Sequence, residues 1–170
     1  MISNFRVILS LALKNIQNTD LLFWDQGREL GDHVFVRDYR EGKQRIPVCP
    51  DAYFGLEDPQ GKMYFFLEAD RSTMTNARFL QKMRGYYNCW KQGKHSEKYG
   101  IKNFRVLTIT KSKERARNLR EVTKQADERQ KGFSAFWFTS EENYSLEKPT
   151  NVLNPIWKTP AGEGSHHLLE

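Results

Sequence analysis

Apolar residues recur at helical spacing through the first sixteen positions: Phe5, Leu9, Ala12, Leu13 and Ile16 share one face, which predicts a helix. Val7, Ile8 and Leu11 widen that face, so burial on more than one side is expected. The run lacks a small-residue cleavage site and falls far below the roughly 20 apolar residues that span a bilayer. It reads as a core helix, not as a signal or an anchor. Next, LLFW at 21–24 and HVFVRDY at 33–39 read as short strands around the turn signals Asp25-Gln26-Gly27 and Gly31-Asp32. The stretch VCPDAYFGLEDPQGKMYFFLEAD predicts a hairpin, with strands near 48–56 and 62–70 and a turn at 58–61.

The second half alternates helix and strand. Residues 76–92 gather Phe79, Met83, Tyr86, Tyr87 and Trp90 on one broad face, follow the candidate caps Thr73 and Thr75, and stop at Gly93. FRVLTIT at 104–110 alternates as a strand, 113–131 reads as a polar helix, and SAFWFT at 134–139 as another strand. Pro149, Pro155 and Pro160 make the remainder extended or irregular. Strands joined through helices imply a mixed sheet covered on both faces, an α/β sandwich. One domain over 1–157 and a flexible tail over 158–170 are expected.

Alternation on the second hairpin strand puts Tyr64, Phe66, Glu68 and Asp70 on one face and Phe65, Leu67 and Ala69 on the other. Pairing through the turn brings position 51 roughly opposite 68, so Asp51, Glu68 and Asp70 are expected to converge. An unpaired buried carboxylate costs several kcal/mol, and clustered ones call for a cation or a proton between them. Mg²⁺, which takes carboxylate oxygens and keeps waters for phosphate chemistry, is the natural remedy. Local alternatives stand beside this. Asp70 paired with Arg71 or Arg78 fixes the strand-to-helix turn, and Asp51 after Pro50 caps a turn.

The 27 Lys and Arg against 21 Asp and Glu give a formal charge of +6 and a pI near 9.3, which favours a polyanionic partner. Arg71, Arg78, Lys91, Lys94, Arg117 and Arg120 are the candidate phosphate contacts, although a solvated face explains the cations of 113–131 most simply. Tyr86, Tyr87, Trp90 and Tyr99 offer base stacking or, more often at helical spacing, core. Cys49 and Cys89 stand too far apart for a disulfide framework or a zinc motif and fit a reducing intracellular setting. His166 and His167 carry little weight as metal ligands, because they fall in the tail.

Pro50-Asp51 followed by ExD at 68–70 after a hairpin resembles the PD-(D/E)xK nuclease-like superfamily. More closely, VCPDAYFGLEDPQGKMYFFLEADRSTM, RFLQKMRGYYNCW, FRVLTIT and NPIW resemble the replication-relaxation family of plasmid and mobile-element proteins, over residues 1–157. The resemblance implies a restriction-endonuclease-like sandwich, a central mixed sheet flanked by helices with an αβββαβ core. It also implies Mg²⁺ or Mn²⁺ held by Asp51 and Glu68, joined here by Asp70, which stands where the superfamily places Lys. Lys82 on the following helix is the candidate migrated cation of such a catalytic set, and Arg71 a second. The implied activity is metal-dependent deoxyribonuclease action with a degenerate PD-ExD motif. The alternative is a noncatalytic DNA-binding or assembly module. The implied partners are DNA and replication or mobilisation proteins, in the cytoplasm and away from membranes.

Overall fold

The computed structural model describes residues 1–38 and 42–170. In chain order the helices are α1 (Ile2–Lys14), α2 (Asn76–Lys91), α3 (Lys94–Tyr99) and α4 (Lys113–Thr123). The strands are β1 (Asp20–Asp25), β2 (Asp32–Asp38), β3 (Gly42–Val48), β4 (Ala52–Asp58), β5 (Gly61–Asp70), β6 (Arg105–Thr110), β7 (Phe136–Ser140), β8 (Trp157–Lys158) and β9 (Ser165–His166). Among the described residues, seven strands form one sheet in the order β1-β4-β5-β6-β7-β8-β9, while β2 and β3 pair apart from it. The β5–β6 and β6–β7 pairs are parallel and the other neighbours antiparallel, so the sheet is mixed.

Each face of the sheet carries its own core. Phe65 and Leu67 of β5, with Phe54, Leu107 and Trp137, meet Phe5, Ile8, Leu9, Ala12 and Leu13 of α1. Phe66 on the opposite face joins Val106, Phe136 and Phe138 beneath Phe79, Met83 and Tyr86 of α2 and Leu119 of α4. A parallel neighbour requires a crossover, and α2 with α3, then α4, supply the two crossovers on this second face. The β2–β3 hairpin lies outside α2, where a Cβ on Gly85 would meet Ile46 Cγ2 and the Pro47 carbonyl at 3.1 Å. Glycine there lets helix and hairpin approach closely.

Several expectations need correction. Helix α1 is buried along one face rather than on more than one side: Ile8 joins that face, but Val7 is 49% and Leu11 37% exposed. Strand β3 is not among the expected strands, although Gln44, Ile46 and Val48 alternate inward with the exposed Lys43, Arg45 and Pro47. Position 39 of the HVFVRDY strand lies outside the described residues. The polar helix ends at Thr123, well before 131. Beyond it the Asp127 carboxylate accepts from the backbone N–H groups of Arg129, Lys131 and Gly132, an arrangement that competes with further helix. The segment expected to be a flexible tail is docked instead. Ser165 and His166 pair with β8, His166 stacks on Trp137, and Leu168 is fully buried with its N–H on the Leu153 carbonyl. Among the described residues no helix is long and apolar enough to cross a membrane.

Candidate functional site

The β4–β5 register runs from Asp58 opposite Gly61 to Ala52 opposite Leu67, and its continuation sets Asp51 beside Glu68. Asp51 is clipped in place from both ends. Its N–H donates to the Leu67 carbonyl at 2.9 Å, and its Oδ2 accepts from the Ala69 N–H at 2.8 Å. Period-two alternation then turns Glu68 toward α2, where it is 3% exposed.

On α2, Thr75 caps the first turn by accepting from the Arg78 N–H at 3.3 Å, which fixes the register of the helix over the sheet. Lys82 and Tyr86 are one turn apart and so share a face. Both reach Glu68: Lys82 Nζ donates to Oε2 and the Tyr86 hydroxyl to Oε1. Burial pushes the Glu68 carboxyl up to about 7, against the downward pull of Lys82, with Asp51 adding to the rise. Burial pulls Lys82 down, but Glu68 and Asp51 outweigh it and hold the ammonium above its ordinary value. The Tyr86 phenol is raised by burial and by the Glu68 charge. The pair thus holds Lys82 as a cation while burial works against the charge on Glu68.

Asp70 does not join this group. It is 6% exposed and faces α4, where Arg115 Nε donates to Oδ2 at 2.8 Å and Nη2 to Oδ1 at 3.1 Å. The same guanidinium donates to the Met74 carbonyl at 2.6 Å and to Asn76 Oδ1 at 2.8 Å, tying the end of β5, the start of α2 and α4 together. The ion-pair reading of Asp70 thus holds with a different partner from Arg71 or Arg78. The three-carboxylate cluster does not form, because Arg115 already neutralises its third member. Among the described residues no three His, Cys, Asp or Glu side chains group to hold a metal ion. Arg115 was missed among the helix's many cations, although it stands one turn before Leu119, whose burial marks the inward face.

Beside the Glu68–Lys82 pair a cavity of about 390 Å³ is lined by Cys49, Met74, Arg78 and Lys82, with Ile46 and Pro47 from β3. Arg78 is exposed at its rim, Arg71 is exposed after the end of β5, and Arg117 is exposed on α4. Lys91 pairs with Glu128, and Lys94 with Glu97 at 2.7 Å. Arg120 departs from its expected role as a surface phosphate contact: it is 8% exposed, because α4 turns it inward beside Leu119 and Thr123. Of the aromatic candidates, Tyr86 and Tyr99 pack on Phe66 in the core, whereas Trp90 is 40% exposed and lies against Phe133.

Residues 1–104 match the family model described as replication-relaxation, a span that includes Asp51, Glu68, Lys82 and Tyr86 and stops short of Arg115. No curated protein and no solved structure matches the chain.

Proposed function

Because the chain belongs to the replication-relaxation family, we propose that it acts on DNA during plasmid or mobile-element replication. In this reading residues 1–157 are a single PD-(D/E)xK-like domain of the restriction-endonuclease-like type, working in the cytoplasm. The observation that carries it is the reach of Lys82 from α2 to Glu68 beside Asp51. An acidic pair with an adjacent Lys is the set that phosphodiester hydrolysis by this superfamily uses, here with the Lys supplied by the helix instead of position 70.

The donor chemistry suits a hard divalent ion in one respect. Asp51 and Glu68 offer carboxylate oxygens on one face, and among the described residues the Asp51 Oδ1 accepts no hydrogen bond. Mg²⁺ or Mn²⁺ held there with waters would polarise a phosphoryl oxygen and lower the pKa of a bound water. Tyr86 orients Glu68, and Lys82 balances the charge of an approaching phosphodiester. Arg71, Arg78 and Arg117 are the exposed cations that meet the DNA backbone in this account.

A second reading, a noncatalytic DNA-binding or assembly module that docks replication or mobilisation proteins, is favoured by the Asp70–Arg115 clamp, which leaves two carboxylates where three were expected. Fluorescence anisotropy with a labelled duplex and a labelled single strand tests DNA engagement. Affinity should fall linearly with log salt, and Arg71→Glu with Arg78→Glu should weaken binding and lower the slope by about 2, at about 0.9 for each phosphate no longer neutralised. Failure to bind at low salt would remove the nucleic-acid role from both readings.

A further inference from the structure

On α4, Lys113, Arg117 and Arg120 fall at i, i+4 and i+7, a single stripe that faces the β7–β8 edge. There Phe138 of β7 pairs with Lys158 of β8. Between helix and edge lies a cavity of about 500 Å³, lined by these four cations, by Phe138 and by one carboxylate, Glu114. It shares no lining residue with the cavity beside Lys82.

Arg120 gives the cavity its chemistry. The residue is 8% exposed, and its Nε and Nη1 are buried with no hydrogen-bond partner among the described residues. Its Nη2 only approaches carboxylates, Glu121 at 3.7 Å and Glu163 at 4.0 Å, and Glu163 is 91% exposed and free to swing away. A buried guanidinium with unused donors is a costly arrangement unless an acceptor fills it. Lys113, Arg117 and Lys158 make no ion pair among the described residues, so none of them is neutralised in advance. A volume of this order fits a ligand of nucleotide size.

We infer that the cavity between α4 and the β7–β8 edge binds a phosphate monoester, with Arg120 as the buried anchor and Arg117, Lys113 and Lys158 around it. The monoester comes either from a free phosphorylated compound or from the 5′-phosphate end of a DNA strand. The chemistry is shared: charge-assisted N–H donors to phosphate oxygens. This inference stands on the cavity alone and does not depend on the Glu68–Lys82 centre.

Calorimetric titration with inorganic phosphate at constant ionic strength, and anisotropy with one oligonucleotide carrying either a 5′-phosphate or a 5′-hydroxyl, separate the sources. Lys113→Gln with Lys158→Gln alters two exposed side chains and leaves folding intact. Saturable phosphate binding, weakened about tenfold or more by that pair, supports the site with free compounds as the source. A preference of about tenfold for the 5′-phosphorylated strand, lost in the same variant, supports it with strand ends as the source. Arg120→Met should abolish the rise in melting temperature that phosphate gives the wild type. Absence of both phosphate binding and 5′-phosphate preference, or binding indifferent to all three substitutions, overturns the inference.

Discussion

Replacing Lys82 with Met removes the ammonium from a buried carboxylate and leaves it the Tyr86 hydroxyl as its remaining side-chain donor. Glu68 lies at about 7 in the folded chain against 4.5 for the ordinary side chain. Between those values the unfolded chain has released a proton that the folded chain keeps, so stability is highest below 4.5 and falls as pH rises toward 7. At 1.36 kcal/mol per pH unit the wild type loses about 3 kcal/mol through Glu68 on going from pH 4 to pH 8. Without Lys82 the carboxyl rises further and takes a proton instead of an unpaired charge. That proton caps the total at about 5 kcal/mol at pH 8, roughly 1–2 kcal/mol beyond the wild type. At pH 5 Glu68 is protonated in both folded proteins and this difference vanishes, leaving about 1 kcal/mol for the lost hydrogen bond. Urea melts of wild type and Lys82→Met at pH 5 and pH 8 measure it, with Glu68→Gln as the control whose pH dependence over this range should flatten. An equal loss at both pH values, or a wild type no less stable at pH 8 than at pH 5 relative to Glu68→Gln, would refute the reasoning.

Arg115→Met should cost about 3–5 kcal/mol, because it strands the buried Asp70 without its bidentate partner, whereas Arg117→Gln on the exposed side of the same helix should stay within about 0.5 kcal/mol; urea midpoints compare the two. Gly85→Ala should destabilise by about 1–3 kcal/mol, since its methyl meets Ile46 and the Pro47 carbonyl at 3.1 Å, and thermal melting reads the loss. Mn²⁺ should raise the wild-type melting temperature relative to EDTA by binding the native state, and Asp51→Asn, which keeps an acceptor for the Ala69 N–H, should melt near the wild type in EDTA and lose the increment.

Period and register carried the hairpin. Alternation through Phe65, Phe66, Leu67 and Glu68 predicts which face each residue takes, and the turn at 58–61 predicts that Asp51 meets Glu68. Lys82 is legible as the helix cation beside the strand, whereas Tyr86 reads as core or stacking aromatic and joins Glu68 because it stands one turn after Lys82. What escaped the sequence depends on distant partners. Asp70 and Arg115 are 45 positions apart, and the local cue, apolar Leu119 one turn after Arg115, turns that side chain inward without naming its partner. Strand β3 is amphipathic only against α2, so its Lys43-Gln44-Arg45 start hides it. Residues 165–168 look irregular alone, and their order comes from the β8 edge and the pocket that takes Leu168.

Incubation of the protein with plasmid and linear DNA in Mn²⁺ or Mg²⁺, alongside Asp51→Asn and Lys82→Met, tests the proposed centre most directly. The account predicts nicked or shortened products that appear with the ion, disappear with EDTA, and are lost in both variants while DNA binding persists. Cleavage that survives Asp51→Asn, or binding by the wild type with no cleavage in either ion, would contradict hydrolysis at Asp51 and Glu68, the latter result leaving the noncatalytic module in its place.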